Sequence, residues 1–140
     1  MIVDASVGVK WLVPEPDRDL ALQLLVRLDL AAPDLFKLEI GNLLGKRRRQ
    51  GVILAQFAKD AWAELDELPV RQQLSADLVD SAFDLSLQVG AAIYDCVYLA
   101  MADATDDVLV TADERFARAV RQSAGRTLAA RVRMLSETTL

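Results

Sequence analysis

Two β-branched residues, Ile2 and Val3, run straight into Asp4, and that junction constrains this chain more than any other stretch. Aspartate is depleted in strands and is rarely buried without a partner. Ser6 follows, then an apolar run through Val7, Val9, Trp11 and Leu12. In an open parallel sheet, ligands bind outside the carboxyl ends of the strands. Asp4 therefore stands where a ligand would sit. The competing reading is that Asp4 or Ser6 only caps the helix that follows.

The rest of the chain alternates helical and strand patterns. Pro14 and Pro16 break the chain, and Asp17 is expected to cap a helix carrying Leu20, Ala21, Leu24, Leu25 and Leu28. Ala31 to Asp34 reads as a turn around Pro33. The next helix carries Leu35, Leu38, Leu43 and Leu44 and ends on the basic run Lys46 to Arg49 before Gly51. A further helix runs from about Leu54 to Leu68, with Leu54, Phe57, Ala58, Ala61, Leu65 and Leu68 as its apolar stripe. Val70 to Leu74 is a short strand. Ser75 caps a helix with Leu78, Val79, Ala82, Phe83 and Val89 facing inward and Gly90 as the stop. Ile93 to Met101 is apolar all round and reads as a central helix. Val108 to Thr111 is a buried strand, Asp113 to Arg121 a helix, and Arg131 to Leu135 an edge strand, with a frayed tail after Ser136. This alternation predicts one α/β domain over residues 1–140: a three-layer α/β/α sandwich with a short parallel sheet of four or five strands.

The chain has 0 histidines, which excludes a Ser-His-Asp triad, a Cys-His pair and a His-based ribonuclease mechanism. It also excludes the usual zinc sites. The lone Cys96 excludes an internal disulfide, fits a reducing compartment and reads as a packed, inert thiol. Mean hydropathy is high at +0.21. Even so, the longest apolar candidate, Ala91 to Ala102, carries Asp95 and falls short of the ~20 residues of a membrane span. No basic region precedes the N-terminal apolar stretch, so a cytoplasmic protein without a signal peptide is expected. The net charge of −5 argues against general coating of nucleic acid but not against a nucleic-acid substrate.

Most acids occupy solvated positions. Four do not fit that pattern: Asp4 ends the first strand, Glu39 sits among Leu38, Ile40 and Leu43, Asp95 opens the central apolar helix, and Asp113 follows the Val108–Val110 strand. Each alone has a structural explanation. Asp95 and Asp113 fall at helix N-termini, and Glu39 could pair with Lys37 or an arginine of the basic run. Together they require a partner, because buried carboxylates must be neutralised. No Lys or Arg stands beside Asp4 or Asp95. A shared divalent cation is the economical solution, and oxygen-only ligation selects Mg²⁺ or Mn²⁺ over zinc. Lys10, Arg115 and Arg118 lie near these acids in sequence and are candidate phosphate contacts. Lys46 to Arg49 read as a surface helix terminus, and Phe57 and Trp62 as core or dimer surface.

With these residues placed, the chain resembles the PIN-domain family and, within it, VapC-type toxins of toxin–antitoxin pairs. The matching pieces are Val3-Asp4-Ala5-Ser6 with Val9-Lys10-Trp11, then Glu39-Ile40-Gly41-Asn42, then Tyr94-Asp95-Cys96-Val97-Tyr98-Leu99-Ala100, and Leu109-Val110-Thr111-Ala112-Asp113. The resemblance implies a Mg²⁺- or Mn²⁺-dependent endoribonuclease, a homodimer held in check by a cognate antitoxin. By it Asp4, Glu39, Asp95 and Asp113 are metal ligands, directly or through water. Ser6 and Thr111 match hydroxyls that orient the acids, and Asn42 matches a nearby polar position.

Three other readings compete. A phosphatase of the haloacid dehalogenase type needs a second Asp two residues after the first, where Ser6 stands. A receiver domain needs a Lys after a late strand, and none is found in that context. A non-catalytic protein-binding module would use the acids only as caps.

Overall fold

The computed structural model describes residues 1–138. Five short strands form one sheet: β1 (Ile2–Val3), β2 (Ala31–Pro33), β3 (Arg71–Gln73), β4 (Leu109–Thr111) and β5 (Val132–Met134). Their spatial order is β3-β2-β1-β4-β5, and every pairing is parallel. Parallel neighbours need crossovers, and helices supply them. These are α1 (Ala5–Leu12) and α2 (Arg18–Leu24), α3 (Phe36–Arg49) and α4 (Ala55–Glu64), α5 (Val79–Val89) and α6 (Ile93–Ala104), then α7 (Glu114–Ser123) and α8 (Gly125–Ala129). The helices flank the sheet, so the predicted α/β/α sandwich with five parallel strands is what forms. From β1 the chain moves outward to β2 and β3, then returns to the other side of β1 as β4. The order reverses between β1 and β4, and a crevice opens there at the strand ends.

The three central strands are buried throughout, and α6 packs on all of them, with Cys96 through Ala102 buried. Among the described residues no single helix is long and apolar enough to cross a membrane. Tyr98, Leu99, Met101, Ile2, Val3 and Leu109 are the heart of the core.

Several local expectations are corrected. Ala31 to Pro33 is a strand, not a turn. Ala and Pro carry no strand signal, but Ala31 pairs with Ile2 and Arg71, and Pro33 with Gln73. Asp17 precedes α2 with a left-handed backbone (φ 65°) and makes no cap hydrogen bond. Leu28 lies beyond the end of α2, fully exposed. The stripe of α4 buries only Ala61 and Leu65, while Leu54, Phe57 and Trp62 face outward. On α5, Val79 and Phe83 are exposed, while Ala82 and Val89, and Leu78 just before the helix, reach the core. Ser75 does not cap: its hydroxyl donates to Asp34 Oδ1 at 2.5 Å. Gly90 ends α5 with φ 72°, as its position in the sequence implies. The expected frayed tail is partly held, since Leu135–Glu137 forms a 3-10 turn and Glu137 pairs with Arg121. Its last two residues, 139 and 140, lie outside the described residues.

Candidate active site

Both strands that border the crevice run into an aspartate that caps the next helix. Asp4 Oδ1 accepts from the Val7 N–H at 3.2 Å and caps α1. Asp113 Oδ1 accepts from the Phe116 N–H at 3.0 Å and caps α7. The expected alternative, a cap from Ser6, is not seen. Its hydroxyl donates instead to Asp4 Oδ1 at 2.5 Å and accepts from the Ala112 N–H at 2.9 Å. The Thr111 hydroxyl donates to Asp4 Oδ2 at 2.5 Å and accepts from the Asp113 N–H at 3.0 Å. Each hydroxyl has a backbone donor filling its acceptor side, so its proton is directed at Asp4. Two hydroxyls thus grip both oxygens of one buried carboxylate and tie β1 to the β4–α7 turn.

Above this grip lies a cavity of about 510 Å³. Asp4, Ser6, Glu39, Asn42, Asp95 and Asp113 line it, with Leu35, Leu38, Leu43 and Tyr94 as its apolar wall. Leu38 is 73% and Tyr94 65% exposed, so the wall is open to solvent. Glu39 and Asn42 are three residues apart on α3 and share one face. Among the described residues no Lys or Arg lines this cavity. Among the described residues no cation at the cavity offsets the acids' charge. Burial, then the charges of Asp95 and Asp4, push Glu39 up to about 7. Burial, then the charges of Asp4 and Asp113, push Asp95 up to about 6. Asp4 is also raised, chiefly by burial, against the pull of its hydrogen bonds from Ser6, Thr111 and Val7. Among the described residues the buried Glu39 Oε1 has no hydrogen-bond partner. None of the expected partners pairs with it: Lys37 pairs with Asp66 at 2.8 Å and Arg47 with Glu15 at 2.9 Å, and among the described residues Arg48 and Arg49 form no ion pair with Glu39.

The basic candidates divide. Arg115 lines a smaller adjoining cavity of about 320 Å³ together with Asp95 and Asp113. Lys10 does not face the acids. It points to the Pro16 carbonyl at 2.8 Å and to Glu15, because six residues along α1 turn it away from Asp4. Arg118 pairs with Glu114 one turn back on the exposed face of α7. Cys96 is buried, and its thiol is pushed up to about 11, mainly by burial. Two contributors lacked a functional reading in the sequence: Tyr98, one turn after Asp95, and Gly8, where α1 meets α3.

The raised carboxyls fix the pH dependence of the metal-free fold. A group whose folded pKa is raised contributes stability that is complete below its unfolded pKa and is lost as pH rises through the folded one. For Glu39 the window runs from 4.5 to about 7, and for Asp95 from 3.8 to about 6. The metal-free protein is therefore expected to melt lower at pH 7.5 than at pH 5. Melting curves across that range check it, and the Glu39→Gln, Asp95→Asn double variant should flatten the slope.

The donors are all hard oxygens, suited to Mg²⁺ or Mn²⁺. Among the described residues no three ligating side chains stand close enough to form a ready-made cage. That spacing suits Mg²⁺, which keeps several waters and is held by one or two carboxylates. The unpartnered Glu39 oxygen and a cavity without cations are the features such an ion would satisfy.

Comparison with known proteins gives a consistent picture. The PIN domain family matches residues 1–122. Ribonuclease VapC3 of Mycobacterium tuberculosis is 32% identical over 120 residues, covering 85% of this chain and 86% of its own length. Ribonuclease VapC3 of Pyrobaculum aerophilum is 30% identical over 120 residues, covering 84% and 92%. In fold, the chain matches VapC20 of Mycobacterium tuberculosis, a toxin that cleaves the sarcin–ricin loop, with a TM-score of 0.66 at 20% identity, over 84% of this chain and 93% of that one. It also matches PAE2754 of Pyrobaculum aerophilum, with a TM-score of 0.63 at 24% identity, over 84% and 77%.

Proposed function

The chain belongs to the PIN-domain family, within its VapC-type group, and on that footing we propose that it is a metal-dependent endoribonuclease, the toxin of a type II toxin–antitoxin pair. The observation that carries this reading is one cavity lined by Asp4, Glu39, Asp95 and Asp113 from four separate segments, with no Lys or Arg among its described lining residues. Asp4, Glu39, Asp95 and Asp113 are the residues that would hold Mg²⁺ or Mn²⁺, directly or through water. When bound, the ion supplies a polarised phosphoryl oxygen and an activated water.

The chain's own residues do the rest. Ser6 and Thr111 keep Asp4 aimed and acceptor-only. Asn42 and the open wall of Leu38 and Tyr94 receive a nucleoside on one side of the acids. Arg115 receives a flanking phosphate on the other, where its adjoining cavity shares Asp95 and Asp113. The chain has no histidine to recruit the 2′-hydroxyl. Cleavage is therefore expected to leave 5′-phosphate and 3′-hydroxyl ends. The outward apolar side chains of α4 and α5, Phe57, Trp62, Phe83 and Leu87, offer surfaces for a second copy of the chain and for the antitoxin.

Incubating cellular RNA with the purified protein, with Mn²⁺ or with chelator, and sequencing the ends tests the reading. Cuts that need the metal and carry 5′-phosphates support it. Cuts with 2′,3′-cyclic phosphate ends, or no cutting with Mn²⁺, overturn it.

A further inference from the structure

Two buried side-chain oxygens, one on a residue that lines the acidic cavity and one on the helix that carries Asp95, are left without a hydrogen bond among the described residues. Among the described residues Glu39 Oε1 has no hydrogen-bond partner, and neither has the Tyr98 hydroxyl, although Tyr98 is only 1% exposed. Buried polar groups are ordinarily paired, and an unpaired one costs stability. The Tyr98 ring belongs to the core, but packing gives no reason for its oxygen.

The setting of that oxygen supplies one. Tyr98 follows Asp95 by three residues on α6, so both side chains leave the same face of the helix. The phenol is close enough to Glu39 to favour its carboxylate slightly, and it lies near the Ala5 N–H at the start of α1. A phenol keeps its proton at neutral pH, so it is a donor here. It has a proton to give and an acceptor beside it, and its lone pairs have a backbone donor beside them.

We propose that Tyr98 is a positioning residue for Glu39: its hydroxyl donates to the Glu39 carboxylate and accepts from the Ala5 N–H, holding Glu39 towards Asp4 when the site is engaged. This deepens the ribonuclease reading and rests on it. Tyr98 touches neither substrate nor cation. It acts through Glu39, as groups that orient metal-ligating side chains do.

Tyr98→Phe removes the oxygen and keeps the ring. A purely structural hydroxyl and a positioning one give opposite patterns. The metal-free variant is expected to melt at or above the wild-type temperature, because an unpaired buried hydroxyl has gone. Its Mn²⁺ affinity by calorimetry is expected to fall about tenfold, with a similar loss in kcat and little change in KM for RNA. In a Glu39→Gln background the same change should alter Mn²⁺ affinity less than twofold, because the partner is already lost.

Mn²⁺ affinity and kcat both within twofold of wild type overturn the proposal and leave the ribonuclease reading standing. A metal-free variant that melts well below wild type makes the hydroxyl structural and also overturns it. A wild-type protein that neither binds Mn²⁺ nor cleaves RNA overturns the ribonuclease reading and this proposal with it.

Discussion

Asp95→Asn is expected to lose RNA cleavage by two to three orders of magnitude while the metal-free protein melts no lower than wild type at pH 7.5. The two halves of this expectation come from the same geometry. Among the described residues the Asp95 side chain makes no hydrogen bond and no ion pair, so its carboxylate holds nothing together. Burial and the neighbouring charges of Asp4 and Asp113 work against its ionised form. Replacing it with a neutral amide of the same shape removes that repulsion. The loss in rate follows from the role proposed for it, because electrostatic stabilisation of phosphoryl transfer by a bound cation amounts to several kcal/mol. About 3–4 kcal/mol corresponds to about a factor of a few hundred. Single-turnover cleavage and thermal melting of the same preparation check both halves. A variant that unfolds would make Asp95 a structural residue.

Gly8→Val is expected to cost the fold more than about 3 kcal/mol, at the upper end for overpacking a core. A Cβ at Gly8 would lie 2.6 Å from Phe36 Cζ and 2.7 Å from Ile40 Cδ1. Phe36 and Ile40 are both buried and have nowhere to retreat. A helix normally gains about 1 kcal/mol when Gly becomes Ala, and here even Gly8→Ala should destabilise. At about 3–5 °C per kcal/mol for a domain of this size, the melting temperature of the valine variant should fall by about 10 °C or more. Gly41→Ala is the control. Its Cβ would meet Trp62 Cζ3 at 2.7 Å, but Trp62 is half-exposed and can swing outward. Its cost should stay near about 1 kcal/mol or below, within the range for tolerated substitutions. Equal losses at the two glycines would contradict the packing described. Gly8 also serves the site. Glu39 stands on α3 between the two side chains that press on Gly8, so the close approach of α1 and α3 is what carries Glu39 to Asp4.

What could be read from the sequence follows from how local each signal is. Ile2-Val3-Asp4 and Leu109-Val110-Thr111 are β-branched or apolar runs ending at polar residues, and both form strands at the crevice. The all-apolar face of α6 announced a central helix. Ala31-Ala32-Pro33 announced nothing, because that strand exists only through its pairing with β1 and β3. Periodicity found the stripes of α4 and α5 but not their direction: a stripe shows that a helix is two-sided, not that the same chain covers it.

The acids that line the cavity were each identifiable from an apolar or strand-end context. Lys10 and Arg118 were not placed correctly by closeness in sequence. Six residues after Asp4 and five after Asp113, they lie off the faces that look at the site. The three-residue step that brings Asn42 beside Glu39 and Tyr98 beneath Asp95 is the helical rule that would have sorted them.

The central claim is that Asp4, Glu39, Asp95 and Asp113 act as one cation site. Anomalous diffraction from crystals grown with Mn²⁺ addresses it directly. The result expected is a peak inside the cavity these four residues line, absent from crystals of Asp95→Asn prepared in the same way. Mn²⁺ found only elsewhere on the protein, or an unchanged peak in Asp95→Asn, would contradict it.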